Sequence, residues 1–412
     1  MVTHWIWLTQ RKGIGYVGCQ KLLACFGSAE NIYEQNIEQY RTMKGFRKTW
    51  EESLMDKDLT RAEKIVEDCD RLGIRIITFD DPAYPERLKQ IYDPPCVLYC
   101  KGELPDIDRE PVVSVVGTRR CSNYGIIVAK QLATLIAISG GVVVSGGARG
   151  IDTVALNSAL FSETPMICVL AGGLDTCYPP ENRTLFERVT QQGCLLSEAP
   201  PGVKPYPTDF IARNRLISGI SIATLVVEAP KGSGAMTTAE FALSQNRDVF
   251  TVYRPDGGRF LEGNEELIDA GCEVIQDGWE LLKRYVPQFP DRLIDGRTEE
   301  GTDRLYRKRY GDDYNRSYVP YEPGKWKRRP RGFQPVREPK LEDPHPHHED
   351  PLPEDLPETE GRVLAVVGSS PIEIDAIIAK TGMEPTVVST ALTMLQIKKR
   401  IIKCYGNSYQ RL

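Results

Sequence analysis

The sequence predicts an α/β protein built on a doubly wound, mainly parallel sheet, with a small helical domain before it and a winged-helix domain after it. Two observations carry the sheet. Apolar, mostly β-branched runs recur at 112–116, 142–144, 166–170, 194–196, 225–227 and 249–252, and a helical pattern separates each from the next. The second run stops at Ser145-Gly146-Gly147, and helical spacing restarts at Ile151, as expected where a buried parallel strand enters a helix through a glycine loop. Such a junction aims backbone N–H groups and the positive end of a helix dipole beyond the sheet, which suits phosphate. Ser145 stands where the first glycine of a dinucleotide fingerprint belongs, so the loop reads first as a phosphate cradle, its serine hydroxyl facing a phosphate, and only second as a dinucleotide site; no cofactor is expected.

Composition narrows the function. The 412 residues are 41% hydrophobic and 26% charged, enough for a sizeable core and two or three domains. A formal net charge of -5 excludes a histone-like positive coat, so any nucleic-acid site must be focal. Eleven cysteines lie singly, and Cys96 and Cys100 lack C-x-x-C spacing, which points to reduced thiols and a cytoplasmic protein. No apolar run reaches about 18 residues, so no membrane span is expected. Of four histidines, His4 is terminal and His345, His347 and His348 sit in a proline-rich stretch; none falls in the α/β region, which excludes a Ser-His-Asp triad or a three-histidine zinc site there. There is no P-loop motif, and Asp152, Asp175, Glu198, Glu228 and Glu240 lack metal-ligand spacing, so neither a metal nor catalysis is expected. Asp152, at a helix start, reads as a cap or an arginine partner.

In chain order, residues 1–72 form the helical domain. Val17, Leu22, Leu23 and Phe26 make an apolar face, and Gly13-Ile14-Gly15 resembles the turn of a helix-hairpin-helix module or a plain helix–helix turn. Residues 73–285 form the sheet domain; its lead-in, a strand at 74–79 and proline clusters flanking Val97 to Tyr99, is expected to clasp the sheet edge. Residues 286–356, rich in proline and mixed charge, read as a flexible linker, within which Lys325 to Arg331 is a basic cluster. Residues 357–412 show three helical patterns, two joined at Gly382, and a terminal hairpin, a winged helix. Its third helix opens Pro385 to Thr390 without Arg or Lys, so protein contact is as well supported as DNA reading.

In a doubly wound sheet, ligands sit beyond the carboxyl ends of the strands. Among the residues falling there are Gly117, Thr118, Arg119 and Arg120; Ser145, Gly146, Gly147, Arg149 and Gly150; Tyr178, Asn182 and Arg183; Lys204 and Phe210, ahead of a helix opening Arg213, Asn214 and Arg215; and Ser233 and Gly234. A single arginine there is ordinarily a solvated charge or an ion pair. Several at the ends of different strands make an anion-binding rim, and Phe210 adds an aromatic face for a base.

Six segments in order, GTRRCSNYG, SGGARGID, YPPEN, FIARNRLISGIS, VVEAPKGSGAMTTAEFA and NEELIDAG, resemble the DNA-processing protein A (DprA/Smf) family. The resemblance implies an extended Rossmann-like domain that binds single-stranded DNA, dimerises and helps load a RecA-type recombinase during natural transformation, with no established catalysis. Carried over by motif, Arg119 would be the main DNA contact, with the 145–150 loop and the 210–215 segment nearby; Lys204 is added on charge and position. The chain departs from the family at Leu156, where histidine is common, at Tyr253-Arg254-Pro255, and at Ile211 ahead of Arg213. An alternative is a related Rossmann-like group of nucleoside-monophosphate phosphoribohydrolases, whose glycine loop precedes T-x-x-E; Gly234, Thr237 and Glu240 have similar spacing.

Overall fold

The computed structural model describes residues 1–162, 164–254, 261–301, 303, 357–368, 372–397, 400–404 and 408–411, which fall into two compact units, Met1–Gly324 and Lys325–Leu412. The basic cluster at 325–331 and the three later histidines lie outside the described residues.

The first unit opens with six short helices, α1 (Val2–Thr9), α2 (Gly15–Phe26), α3 (Ala29–Glu34), α4 (Ile37–Thr42), α5 (Glu51–Met55) and α6 (Thr60–Leu72). Local chemistry sets their ends. Ser28 caps α3 by accepting from the Asn31 amide, Asn36 and Gln39 form a reciprocal capping box on α4, and α6 stops at Gly73, which is left-handed. Trp7, Tyr40 and Trp50 are fully buried between them. The face of α2 is rotated from the expected one: Gly18, Cys19 and Leu22 are buried and Val17 is exposed, because Gly18 lies against the Trp50 indole, where a larger residue would not fit.

Next come β1 (Arg75–Thr78), α7 (Glu86–Lys89), β2 (Val97–Gly102), β3 (Val112–Val116), α8 (Asn123–Ile138), β4 (Val142–Ser145), α9 (Ile151–Ala159), β5 (Met166–Leu170), α10 (Arg183–Gln192), β6 (Cys194–Ser197), α11 (Pro207–Gly219), β7 (Ala223–Val226), α12 (Gly234–Ser244), β8 (Asp248–Thr251), α13 (Glu262–Asp269), β9 (Glu273–Val274) and α14 (Gly278–Leu282). The nine strands form one sheet in the order β1-β2-β6-β5-β4-β3-β7-β8-β9. Strands β3 to β9 pair in parallel, while β1 and β2 add antiparallel to the β6 edge, so the lead-in does clasp the sheet.

Strands β3 to β7 are buried on both faces, which is why they read as unbroken apolar runs. Val113, Val115 and Val143 face a layer holding α8, α9, α10 and α14, while Val112, Val116, Val142 and Val144 face α11 and α12. Period-2 alternation thus splits one valine-rich run between two cores. The chain winds from β3 outward to β6 and then crosses back to β7 on the other side of β3, which opens a crevice at the carboxyl ends of the central strands.

Asn264 on α13 knits this end of the sheet. Its amide nitrogen donates to the Val226 and Val227 carbonyls and the Thr251 hydroxyl, and its oxygen accepts from the Ala229 amide. The stretch after α14, expected to begin a linker at residue 286, instead stays on the domain: Phe289 and Leu293 are buried, and the amides of Ile294 and Gly296 donate to the Ser139 carbonyl and hydroxyl.

The second unit has helices Glu358–Val366, Ile374–Thr381 and Pro385–Ile397, with strands Ile372–Glu373, Ile401–Cys404 and Ser408–Arg411 in one sheet. Val363, Leu364, Ile377, Val388, Leu392 and Leu395 close its core, giving the winged-helix arrangement. Among the described residues of the chain no helix is long and apolar enough to cross a membrane.

Replacing Asn264 with Ala leaves the Val227 carbonyl and the Ala229 amide without their partner in a buried site, while the Thr251 hydroxyl still donates to the Val226 carbonyl. Asn264→Ala is expected to lower unfolding stability by about 3 kcal/mol, read from urea denaturation of the purified chain.

Candidate nucleic-acid interface

The loop between β4 and α9 is held from below. Asp152, buried in the first turn of α9, accepts from the amides of Gly146 (3.1 Å) and Ala148 (3.3 Å). Burial pushes its carboxyl above the ordinary value, opposed by the Arg213 charge and the loop amides. From above, the Arg213 guanidinium donates to the Gly146 carbonyl at 2.7 Å and to the Val169 carbonyl on β5. Burial lowers Arg213 from its usual value and Asp152 pulls it back. The two buried charges therefore sandwich the loop, each needed by the other.

Two glycines let the sandwich close. A Cβ at Gly146 would lie 2.7 Å from the Arg213 guanidinium. Gly150 (φ 78, ψ −130) would place a Cβ 2.3 Å from the Thr118 carbonyl, so it lets this loop rest on the one following β3. With two amides taken by Asp152, those of Gly147, Arg149 and Gly150 are left without an acceptor among the described residues. The Ser145 hydroxyl, expected at a phosphate, is fully buried and donates to the Val115 carbonyl, because the side chain belongs to the last sheet position rather than to the loop.

The loop after β3 carries Gly117, Thr118 and Arg119. The Thr118 amide donates to the Glu228 carbonyl at the end of β7, and its carbonyl accepts from Ile151. The Glu228 carboxylate is buried; it accepts from the Ser122 amide and hydroxyl and so fixes the start of α8. Arg119 projects from this scaffold, exposed, with its guanidinium carbon 5.1 Å from the centroid of the Phe210 ring. Phe210 in turn contacts Tyr178, 5.4 Å away and tilted by 58°.

Helix α11 begins at Pro207, six residues before the Arg213 start expected from sequence, because Asp209 caps the Tyr206 amide and Pro207 fits the first turn. Phe210 therefore stands on a helix. One turn on, the helix turns its arginines inward. The sequence set Arg213 and Arg215 on the rim, yet both are buried. Arg215 bridges Asp93 (2.9 Å) and Glu198 (2.8 Å), tying the lead-in to β6; desolvation works to lower it, and the two carboxylates outweigh that and raise it. Asn214 is buried too, donating to the Gly234 carbonyl, and Asn182 donates to Gly147 and Thr153.

What remains accessible is a smaller set. Arg119, Arg120, Arg183 and Lys204 are exposed and have no ion-pair partner among the described residues. Arg149 is exposed but paired with Glu181. Ser233 caps α12 without a side-chain bond, and Gly234 opens that helix. Tyr178, expected beyond the carboxyl end of β5, lies there against the Phe210 ring. Glu240 is exposed on α12. The arrangement offers unpaired cations, free amides and two ring faces along one edge, a surface for a polyanion with flat bases.

A family model described as DNA recombination-mediator protein A matches residues 75–286, and one described as the DprA winged helix domain matches residues 347–407. Protein Smf of Synechocystis sp. is 34% identical over 419 residues, covering 99% of this chain and 98% of that protein. DNA processing protein DprA of Bacillus subtilis is 36% identical over 222 residues, covering 54% of this chain and 73% of that one. The X-ray structure of DNA processing protein A from Streptococcus pneumoniae matches with a TM-score of 0.61 at 30% identity, over 69% of this chain and 98% of that chain.

A side chain at Gly150 would meet backbone atoms that cannot swing aside, in a conformation nearly closed to other residues. Gly150→Ala is expected to cost roughly 2–3 kcal/mol, measured by urea denaturation, whereas Gly232→Ala, with open space around it, serves as the comparison.

Proposed function

This chain belongs to the DNA recombination-mediator protein A (DprA/Smf) family, a family of DNA-processing mediators rather than enzymes, and we propose that it binds single-stranded DNA along the carboxyl edge of its parallel sheet. It does so as a cytoplasmic homodimer that passes the strand to a RecA-type recombinase during natural transformation. The observation that carries the reading is the exposed Arg119 guanidinium over the Phe210 ring, free of any carboxylate among the described residues. A cation beside a ring face gives one contact for a phosphate and one for a base, the recurrent unit of sequence-tolerant single-strand binding. Arg183 and Lys204 extend the positive edge, and Gly147, Arg149 and Gly150 supply amides.

Duplex DNA buries its base faces, so a site built on a partly exposed ring favours the single strand. Buried Arg213 and Arg215 hold the loops and take no part in contacting DNA.

Anisotropy titration of a labelled oligo(dT) across salt tests the reading. Arg119→Ala is expected to weaken binding about tenfold and to flatten the salt slope by about 0.7; Phe210→Ala weakens it with the slope unchanged. An Arg119→Ala protein that binds like the parent at every salt concentration removes the proposal. For the recombinase step, this protein is expected to shorten the lag before a RecA-type ATPase starts on single-stranded DNA coated with a single-strand-binding protein, and an unaltered lag discards that step alone.

A further inference from the structure

Beyond Arg119 and Phe210, the ledge continues through side chains that the reading above does not use. Tyr178 is 47% exposed and its ring adjoins that of Phe210. Arg149, bonded to the Glu181 carboxylate, lies within electrostatic reach of the Tyr178 hydroxyl. The order along the edge is cation, ring, ring, cation, closed by one anion. We propose that Tyr178, Arg149 and Glu181 form a second nucleotide subsite next to Arg119 and Phe210, in which Glu181 is an internal anion that a backbone phosphate displaces. This inference rests on the single-strand-binding reading.

Exposure decides which ion pairs can exchange. The Arg149 and Glu181 side chains are 54% and 49% exposed, and a surface pair of this kind is weakly held and screened by salt. A phosphate brings the same charge and more acceptors to the same guanidinium. Arg215, with a side chain only 7% exposed between two carboxylates, has no such freedom. The Glu181 backbone is part of the 3₁₀ turn Pro180–Asn182, whose Asn182 is anchored to the loop after β4, so releasing the carboxylate does not dismantle the site. The tilt of 58° between the two rings leaves no slot for a base between them, and each ring presents its own face. Two bases would stack on two faces with a cation for a phosphate at either end. Glu181 then has a second effect: it repels every phosphate that approaches without displacing it, which lowers affinity for a strand held at one end only.

The test uses the full chain, oligo(dT) anisotropy across salt, and an oligonucleotide carrying one 2-aminopurine, whose fluorescence falls on stacking. Glu181→Gln is expected to tighten binding about two- to fivefold. Arg149→Ala weakens binding and flattens the salt slope by about 0.7. Tyr178→Phe keeps the 2-aminopurine quenching and Tyr178→Ala reduces it. Glu181→Gln binding that is unchanged or weaker, or an Arg149→Ala slope equal to that of the parent, overturns the second subsite. If the parent binds and Arg119→Ala weakens binding while these variants change nothing, only this inference falls; if the parent does not bind oligonucleotide, the reading beneath it falls as well.

Discussion

A guanidinium buried against a glycine loop ties the sheet to the site: Arg213 joins the Gly146 carbonyl to the Val169 carbonyl, and Asp152 grips the same loop through the Gly146 and Ala148 amides. Either charge alone at this depth would be costly, and each lowers the cost of the other. Their shared product is a loop with fixed backbone, resting through Gly150 on the strand-end loop that carries Arg119. The accessible cation owes its position to inaccessible ones.

The arginines of this edge therefore divide by depth. Arg213 and Arg215 are spent on carbonyls and carboxylates inside the protein, where a lost partner leaves an uncompensated charge. Arg119 and Arg183 stand in water without carboxylate partners among the described residues, where a phosphate is the strongest ligand on offer. Arg149 lies between these cases, exposed yet occupied. Helix α11 achieves the division by geometry: Phe210 in its first turn faces the ledge, while Arg213 and Arg215, three and five residues on, turn toward the loop and toward β6.

Much of this fold was legible in the chain. Parallel strands buried on both faces announce themselves as apolar runs, so the six central strands fell within two residues of their expected places. Side-chain fate was less legible. Nothing in Ser145 itself distinguishes a hydroxyl that meets a ligand from one that bonds the Val115 carbonyl, and the apolar face of α2 was rotated by the demands of Trp50, more than thirty residues away.

The sequence by itself determined the architecture of alternating strands and helices, the glycine loop at the centre, the absence of imidazole chemistry in the sheet domain, and the wealth of positive charge at the strand ends. It did so because periodicity and composition are local properties of a chain. Tertiary structure alone decided which of those charges meets solvent, that Phe210 pairs with both Arg119 and Tyr178, and that Glu181 sits on Arg149. Those outcomes depend on desolvation and on contacts between residues tens of positions apart, quantities that exist only once the strands have been laid side by side.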